Sequence, residues 1–323
     1  MRILVTGGAG YIGSFMTRRL LDDGYDVVVV DNLERGHKEY IDSRAVFMQG
    51  NLLDKSFVDS LFSKESFDGV IHFAGLISVG ESMQKPTMYF ENNVFSVINL
   101  LEGMRENNSN NFISSSTAGV YGNPAVIPIS EDAPKLPESP YGESKLMSEK
   151  ILSWYQKIFS IQFVCLRYFN ASGAAIDGSY GESHDPETHI IPNAIKAALN
   201  NTSFTLFGND YKTDDGTCIR DYIHVLDLVE AHVLALKKLQ KDKGGHIYNV
   251  GTGKGFSNSQ VLDMVKKITG VDFSITTKPK RLGDSAILIA NADKIHKDLG
   301  FSPKHSDLET IVSSAYNWHK KQK

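Results

Sequence analysis

Six short apolar runs, at residues 2–6, 27–30, 45–48, 70–73, 112–115 and 162–166, punctuate the first half of the chain and read as β-strands. Stretches of helical periodicity separate them. Residues 15–21 read as a helix close behind the first strand, and 89–105 repeats apolar side chains at Phe90, Val94, Val97, Ile98 and Leu101, the spacing of one helical face. Residues 145–158 show the same periodicity. Strands alternating with helices predict a parallel, doubly wound α/β sheet. Past Asn170 the pattern loosens into Gly- and Asp-rich sequence over 173–187, a helix near 192–199 and a loop over 207–217. No repeat or low-complexity linker marks a boundary. The expected organisation is a first domain over 1–170 and a smaller α/β domain over 171–323, with segments near 220–250 packing back on the first.

Candidate chemistry begins where the first strand ends. Gly7-Gly8-Ala9-Gly10-Tyr11-Ile12-Gly13 follows Ile3-Leu4-Val5 and precedes the helix, so Gly7, Gly10 and Gly13 form a strand–turn–helix junction. Such glycines allow a tight turn and let a pyrophosphate approach the backbone N–H groups at the helix start. The second apolar run ends in Asp31, placed to grip the hydroxyls of an adenosine ribose. A carboxylate there would repel a 2′-phosphate, which favours NAD over NADP, and the nearby Arg35 needs no ligand to explain it.

A second constellation names a reaction type. Ser115-Ser116-Thr117 is followed downstream by Tyr141-Gly142-Glu143-Ser144-Lys145. On a helix Tyr141 and Lys145 share a face, so an ammonium can sit beside the phenol and stabilise its anion. A phenol ionises near pH ~10; serving as a base near neutrality takes a depression of roughly three units, or about 4 kcal/mol. The ammonium together with a nicotinamide cation is suited to supply that.

Composition narrows the field. With 323 residues, 41% hydrophobic and 22% charged, the chain is long enough for one large or two modest globular domains. A net charge of −4 speaks against a nucleic-acid scaffold. No basic segment followed by a long apolar stretch occurs, so neither a leader nor a membrane span is expected, and the cytoplasm is the expected location. With only two cysteines, Cys165 in an apolar strand and Cys218 in a polar loop, no structural disulfide is expected, and the ten histidines read as scattered, so no metal is expected.

Further motifs are Asp31-Asn32-Leu33, His72-Phe73-Ala74-Gly75-Leu76, Ser139-Pro140-Tyr141-Gly142, Arg167-Tyr168-Phe169-Asn170, Asp215-Gly216-Thr217, Arg220-Asp221-Tyr222-Ile223-His224-Val225 and Arg281-Leu282-Gly283-Asp284. With these the chain resembles, over nearly its whole length, the UDP-hexose 4-epimerases of the extended short-chain dehydrogenase/reductase family. The resemblance implies a Rossmann-type NAD-binding domain and a C-terminal UDP-sugar-binding domain. It implies NAD contacts from the glycine turn, Tyr11, Ile12, Asp31, Asn32, Asn51, Leu52, Phe73, Ala74, Gly75, Asn92, Ser115, Tyr141, Lys145 and Phe169. For the UDP-sugar it implies Thr117, Tyr141, Asn170, His189, Thr205, Phe207, Arg220, Arg281, Asp284 and Leu288. Arginine suits bidentate recognition of a diphosphate, which agrees with Arg220 and Arg281. Asn51 stands where many relatives carry an acid, and Ile77 where some carry a lysine.

By the same resemblance the reaction inverts carbon 4 of the hexose through a 4-keto sugar, with Tyr141 taking the hydroxyl proton, Thr117 bonding the reacting oxygen and Lys145 holding Tyr141 ionised. A redox-neutral cycle gains nothing by releasing its cofactor, so NAD is expected to stay tightly bound, and the apolar helix faces at 89–105 and 145–158 are expected to pair across a homodimer. The rivals are a UDP-N-acetylglucosamine 4-epimerase, another nucleotide-sugar epimerase or decarboxylase, and a dinucleotide-sensing regulator, which would not need Thr117, Tyr141 and Lys145 together. A dehydratase is disfavoured because Ala118-Gly119, not an Asp-Glu pair, follows Thr117.

Overall fold

The computed structural model describes residues 1–281 and 284–323; Leu282 and Gly283, in the middle of the Arg281–Asp284 motif, lie outside the described residues. The chain forms two compact units. The first comprises Met1–Tyr121, Lys135–Arg167 and Val229–Tyr248; the second comprises Gly122–Pro134, Tyr168–Leu228 and Asn249–Lys323. The changeover at 167–168 falls near the expected boundary, whereas the excursion over 122–134 carries no signal in the hydrophobic pattern.

The first unit is built on a seven-stranded sheet ordered Gly245–Val250, Gln162–Tyr168, Asn111–Thr117, Gly69–His72, Arg2–Thr6, Asp26–Asp31, Val46–Gln49. The strand pairs from Val46–Gln49 through to Asn111–Thr117 are parallel. The first six strands in chain order thus run 3-2-1-4-5-6, the doubly wound order, and the strand order reverses beside Arg2–Thr6. Ligands of such sheets bind beyond the carboxyl ends of the strands at this switch point. Each predicted strand is present within two residues of its expected ends.

The inner strands Arg2–Thr6, Asp26–Asp31 and Gly69–His72 are largely apolar because both faces are covered. Leu4, Val28, Val70, Phe112 and Cys165 from the strands meet Leu61, Leu100, Leu101, Met104 and Leu152 from the helices, all within 1% of full burial. Each such aliphatic side chain contributes about 1.5–3 kcal/mol by leaving water. The expected helix over 89–105 is divided: Pro86–Phe90 and Ser96–Glu106 are α-helical, and a π-turn at Glu91–Phe95 separates them. A π-turn holds an extra residue, a device common where a side chain must be aimed away from helical register. Asn93, buried to 2% exposure, is the residue so aimed.

The second unit packs helices Ile190–Asn200, Asn258–Thr269 and Leu308–Lys321 around Phe204, Leu206, Tyr222 and Phe273. Its central strand, Ile219–His224, pairs antiparallel with Gly255–Ser257 and parallel with Ile287–Leu288 and Asn170–Ser172. Phe204–Phe207 pairs parallel with Ile275–Lys278 in a separate ribbon. Asp221 explains much of the Arg220–Val225 motif: its carboxylate accepts from Thr252 N and Oγ1, Gly253 N and Ala290 N at 2.7–3.1 Å. It fastens two loops to the central strand. Among the described residues no helix is long and apolar enough to cross a membrane.

Candidate active site

The glycine turn is tight for steric reasons that can be read off atom by atom. Gly7 has φ +72°, and a Cβ there would lie 2.5 Å from the Ala74 amide nitrogen. A Cβ on Gly13 would lie 2.2 Å from the Gly7 carbonyl oxygen. Neither position admits another residue. The helix Tyr11–Asp22 therefore starts directly at the strand end, with Gly10 as its N-cap, no side-chain cap and no acid in its first turn. Its orphan N–H groups and positive dipole end are left for an anion. Tyr11 and Ile12 occupy that first turn.

Asp31 closes the second strand, 8% exposed. Its carboxylate accepts from Ala9 N at 3.0 Å and Leu33 N at 2.9 Å. Burial pushes its pKa up, and these two amides pull it back. Arg35 turns away to Glu81 at 3.2 Å, so the cation that might have received a 2′-phosphate is already paired. Asn32 and Asn51 spend their side-chain oxygens on the turns that follow them, accepting from Glu34 N and Leu53 N. Leu52 is buried, and its carbonyl accepts from Asn99 Nδ2 at 2.8 Å. An uncapped helix start, a glycine cradle and a carboxylate held at the neighbouring strand end fit the diphosphate and ribose of a dinucleotide.

The catalytic candidates lie in the same unit. Thr117 ends the Asn111–Thr117 strand, and Tyr141 and Lys145 lie in the first turns of Pro140–Phe159, whose start is set by Pro140 and by Ser139 Oγ accepting from Gly142 N. The Thr117 hydroxyl donates to the Tyr141 phenol oxygen. Burial raises the pKa of Tyr141, and this bond lowers it. Lys145, 5% exposed, donates to the Ser115 carbonyl at 3.0 Å, and burial brings its ammonium down to about 8. The helical spacing is as expected, but the ammonium is held by a carbonyl of the adjacent strand. The protein groups alone leave Tyr141 a weak acid; the depression needed for a base depends on a further positive charge.

Residues that sequence reasoning passed over hold this arrangement in place. Asn93 accepts from Leu76 N at 2.8 Å and donates to the Leu76 carbonyl and Ser144 Oγ, each at 3.0 Å. It ties the Phe73-Ala74-Gly75 loop to the helix carrying Tyr141. The adjacent Asn92, expected at the cofactor, donates to Asn93 Oδ1. Beneath Thr117, Glu149 accepts from Ser116 Oγ at 2.6 Å and from both Nε and Nη2 of Arg167, while Arg167 Nη1 donates to Tyr121 Oη at 2.7 Å. Both side chains are at most 4% exposed. The sequence signal, a Glu on the helix face shared with Lys145, is visible only once the sheet order is known.

Apart from Thr117 and Tyr141, the expected UDP-sugar residues belong to the second unit. The Arg281 guanidinium lies 4.7 Å from the centre of the Phe207 ring, a stacking contact of the kind that orients arginine for bidentate binding. Asp284 lies 3.5 Å from Arg281 Nε and 3.9 Å from Arg220 Nη2. Thr205, Phe207 and Arg281 line a cavity of about 500 Å³. Leu288 pairs with Arg220 across the sheet, and Asn170 with Tyr222. Phe169 donates its amide to the Val250 carbonyl. His189 lies apart in character: its Nδ1 faces Glu182 and Glu187 at 2.7 and 3.2 Å.

A 3-2-1-4-5-6 sheet with a glycine turn on its first strand, and a Thr, Tyr and Lys set on its carboxyl edge, defines a dinucleotide-dependent enzyme of the short-chain dehydrogenase class. The chain belongs to the NAD dependent epimerase/dehydratase family, whose model matches residues 3–251. It is 46% identical to the UDP-glucose 4-epimerase of Lactobacillus helveticus over 321 residues, covering 99% of this chain and 97% of the relative. Among solved structures it is similar to the UDP-glucose 4-epimerase of Bifidobacterium longum in complex with NAD+ and UDP, at 37% identity and TM-score 0.94, covering 99% and 98% of the two chains. It is also similar to the UDP-Glc/GlcNAc 4-epimerase of Campylobacter jejuni, at 41% identity and TM-score 0.86, covering 99% of each chain.

Proposed function

We propose that this enzyme interconverts UDP-glucose and UDP-galactose by inverting the hexose at C4, with NAD as its cofactor. The observation that carries the reading is the Thr117–Tyr141 hydrogen bond beside Lys145, on a chain related over its whole length to UDP-glucose 4-epimerases. NAD, when bound, accepts the C4 hydride and returns it, and its oxidised ring adds the positive charge that Tyr141 lacks. Tyr141 takes the proton of the C4 hydroxyl and later gives it back, as one group serving both faces of a 4-keto sugar. Thr117 donates to the reacting oxygen or to Tyr141 as charge develops. Lys145, through its charge and its hold on the Ser115 carbonyl, fixes the helix turn that carries Tyr141.

Affinity must come from the nucleotide, because a sugar gripped firmly cannot present both faces. Arg220, Arg281 and Phe207 supply the chemistry for a uridine diphosphate, with Asp284 orienting the two guanidinium groups. NAD remains bound between turnovers, since each cycle returns it to its starting state. We also propose that the chain pairs with a second copy: Phe95, Met147, Trp154 and Ile158 are 53%, 36%, 61% and 63% exposed, and the last three repeat along one helix face. An apolar stripe of this kind suits a two-fold helix pair. Its cysteines are free and buried, in keeping with a reducing cytoplasm.

The test is to incubate purified enzyme with UDP-galactose and follow the anomeric protons by NMR. Appearance of UDP-glucose without added NAD supports the reading; unchanged substrate after NAD supplementation overturns it. Light scattering at micromolar concentration checks the pairing, and a monomer refutes it.

A further inference from the structure

The segment before helix Ile190–Asn200 gathers Glu182, His184, Glu187 and His189, one alternate acid and imidazole after another within a single loop. One ligand atom from each lies within 4.8 Å of all the others. His189 Nδ1 is 2.7 Å from Glu182 Oε1 and 3.2 Å from Glu187 Oε1. His184 Nδ1 is 3.0 Å from Glu182 Oε1 and 3.8 Å from Glu187 Oε1. Burial lowers both imidazoles, but Glu182 and Glu187 outweigh it and raise His184 to about 9 and His189 to about 10, so the empty cluster is a set of imidazolium–carboxylate pairs and a divalent cation enters it by displacing the two imidazole protons.

Two features separate this cluster from an ordinary surface ion-pair network. The Glu182 and Glu187 side chains are only 5% and 4% exposed. Yet Glu187 Oε2 accepts no hydrogen bond among the described residues, and Glu182 Oε1 meets only the two imidazole nitrogens, at 2.7 and 3.0 Å. A buried carboxylate oxygen without a donor is costly, and in native proteins such an atom commonly marks a bound ion or water. Glu187 Oε1 is by contrast satisfied, accepting from Thr188 N at 2.8 Å and His189 N at 3.0 Å, which sets the carboxylate in orientation.

We infer that Glu182, His184, Glu187 and His189 form a site for one divalent first-row metal ion, with zinc the best match to their mixed nitrogen and oxygen donors. Zinc–ligand bonds of about 2.0–2.2 Å in a tetrahedron set neighbouring ligand atoms about 3.4 Å apart, a spacing the observed separations bracket. Four protein ligands fill the tetrahedron, so the site is structural, clasping the loop to the start of the following helix. Imidazole draws the choice toward zinc and away from magnesium or calcium, which favour all-oxygen sites.

The experiment uses the full chain with its native NAD content, stripped with a chelator and dialysed. Cobalt(II) is titrated in while its visible absorption is read, and zinc affinity is then measured by competition with a chromophoric chelator. The expected result is saturation at about one equivalent per chain, a tetrahedral cobalt spectrum, and displacement by zinc. Glu182→Gln and His184→Gln, checked for fold by circular dichroism, should each weaken zinc by at least about a hundred-fold, since even outer-shell changes cost 10–100-fold. Asp272→Asn, outside the cluster, should leave it unchanged. Absence of saturable one-to-one binding by the wild-type chain overturns the assignment, whether or not the variants fold. So does zinc affinity in the folded variants equal to wild type, which would mark adventitious binding to other histidines.

Discussion

Replacing Thr117 by valine removes one hydroxyl and little volume. In the folded protein that hydroxyl makes two bonds: it accepts from Gly119 N at 3.1 Å and donates to the Tyr141 phenol oxygen. The first is a neutral bond, present equally whether Tyr141 is protonated or not, so its loss costs about 1 kcal/mol of stability and leaves the chemical step alone. The second strengthens when Tyr141 becomes an anion. Hydrogen bonds to charged groups are worth about 1.5–3 kcal/mol, and at about 1.4 kcal/mol per tenfold, Thr117→Val should slow turnover about ten- to 150-fold. Thr117→Ser keeps the donor and should stay within a few-fold of wild type. Initial rates of UDP-galactose conversion, with product quantified by NMR, give kcat for the three proteins. The alkaline shift of the acid limb of kcat in the valine variant, by one to two pH units, is the signature that the lost bond stabilised the phenolate. If valine and serine variants are equally slow, or valine keeps wild-type turnover and pH profile, the hydroxyl does not assist Tyr141.

Tyr141→Phe should lower turnover about 10²–10⁴-fold while calorimetric affinity for UDP stays close to wild type; near-normal turnover would displace Tyr141 from its role. Glu149→Gln strands the buried Arg167 charge beneath Thr117 and should cost about 3 kcal/mol in urea unfolding, against under 1 kcal/mol if the pair were merely a surface contact. His72 and His224 are buried with pKa values lowered to about 3 and about 4, so below pH 6.5 the unfolded chain binds more protons than the folded one at these two sites. Their stabilising effect is complete above about pH 7 and is lost as pH falls, roughly 4 kcal/mol between pH 7 and 5, of which the raised His184 and His189 return somewhat under half; a urea midpoint that does not fall across this window contradicts the assignment. If Leu288, paired with Arg220, borders the sugar, Leu288→Tyr should lower any turnover of UDP-N-acetylglucosamine more than that of UDP-galactose, because the larger side chain narrows a half-buried position with little room to relax; equal loss on both substrates would make Leu288 a packing residue only.

What the sequence by itself determined is the part written in local physics. Apolar runs separated by helical periodicity specify strands and helices, because burial on two faces requires one pattern and burial on one face the other. The glycines at 7 and 13 are legible for the same reason: no other residue tolerates the approach of Ala74 or of the Gly7 carbonyl. Tyr141 and Lys145 are spaced for one helix face, and Asp31 ends its strand. Only the tertiary structure decided where the charges go. Lys145 meets the Ser115 carbonyl because strand order brings the Asn111–Thr117 strand under that helix, and Arg35 is taken by Glu81, 46 residues away. The π-turn that aims Asn93, the Glu149–Arg167 pair and the second unit's claim on 122–134 have no local period to announce them. Electrostatic partners are chosen by distance in space, and a sequence pattern reports distance only along one element.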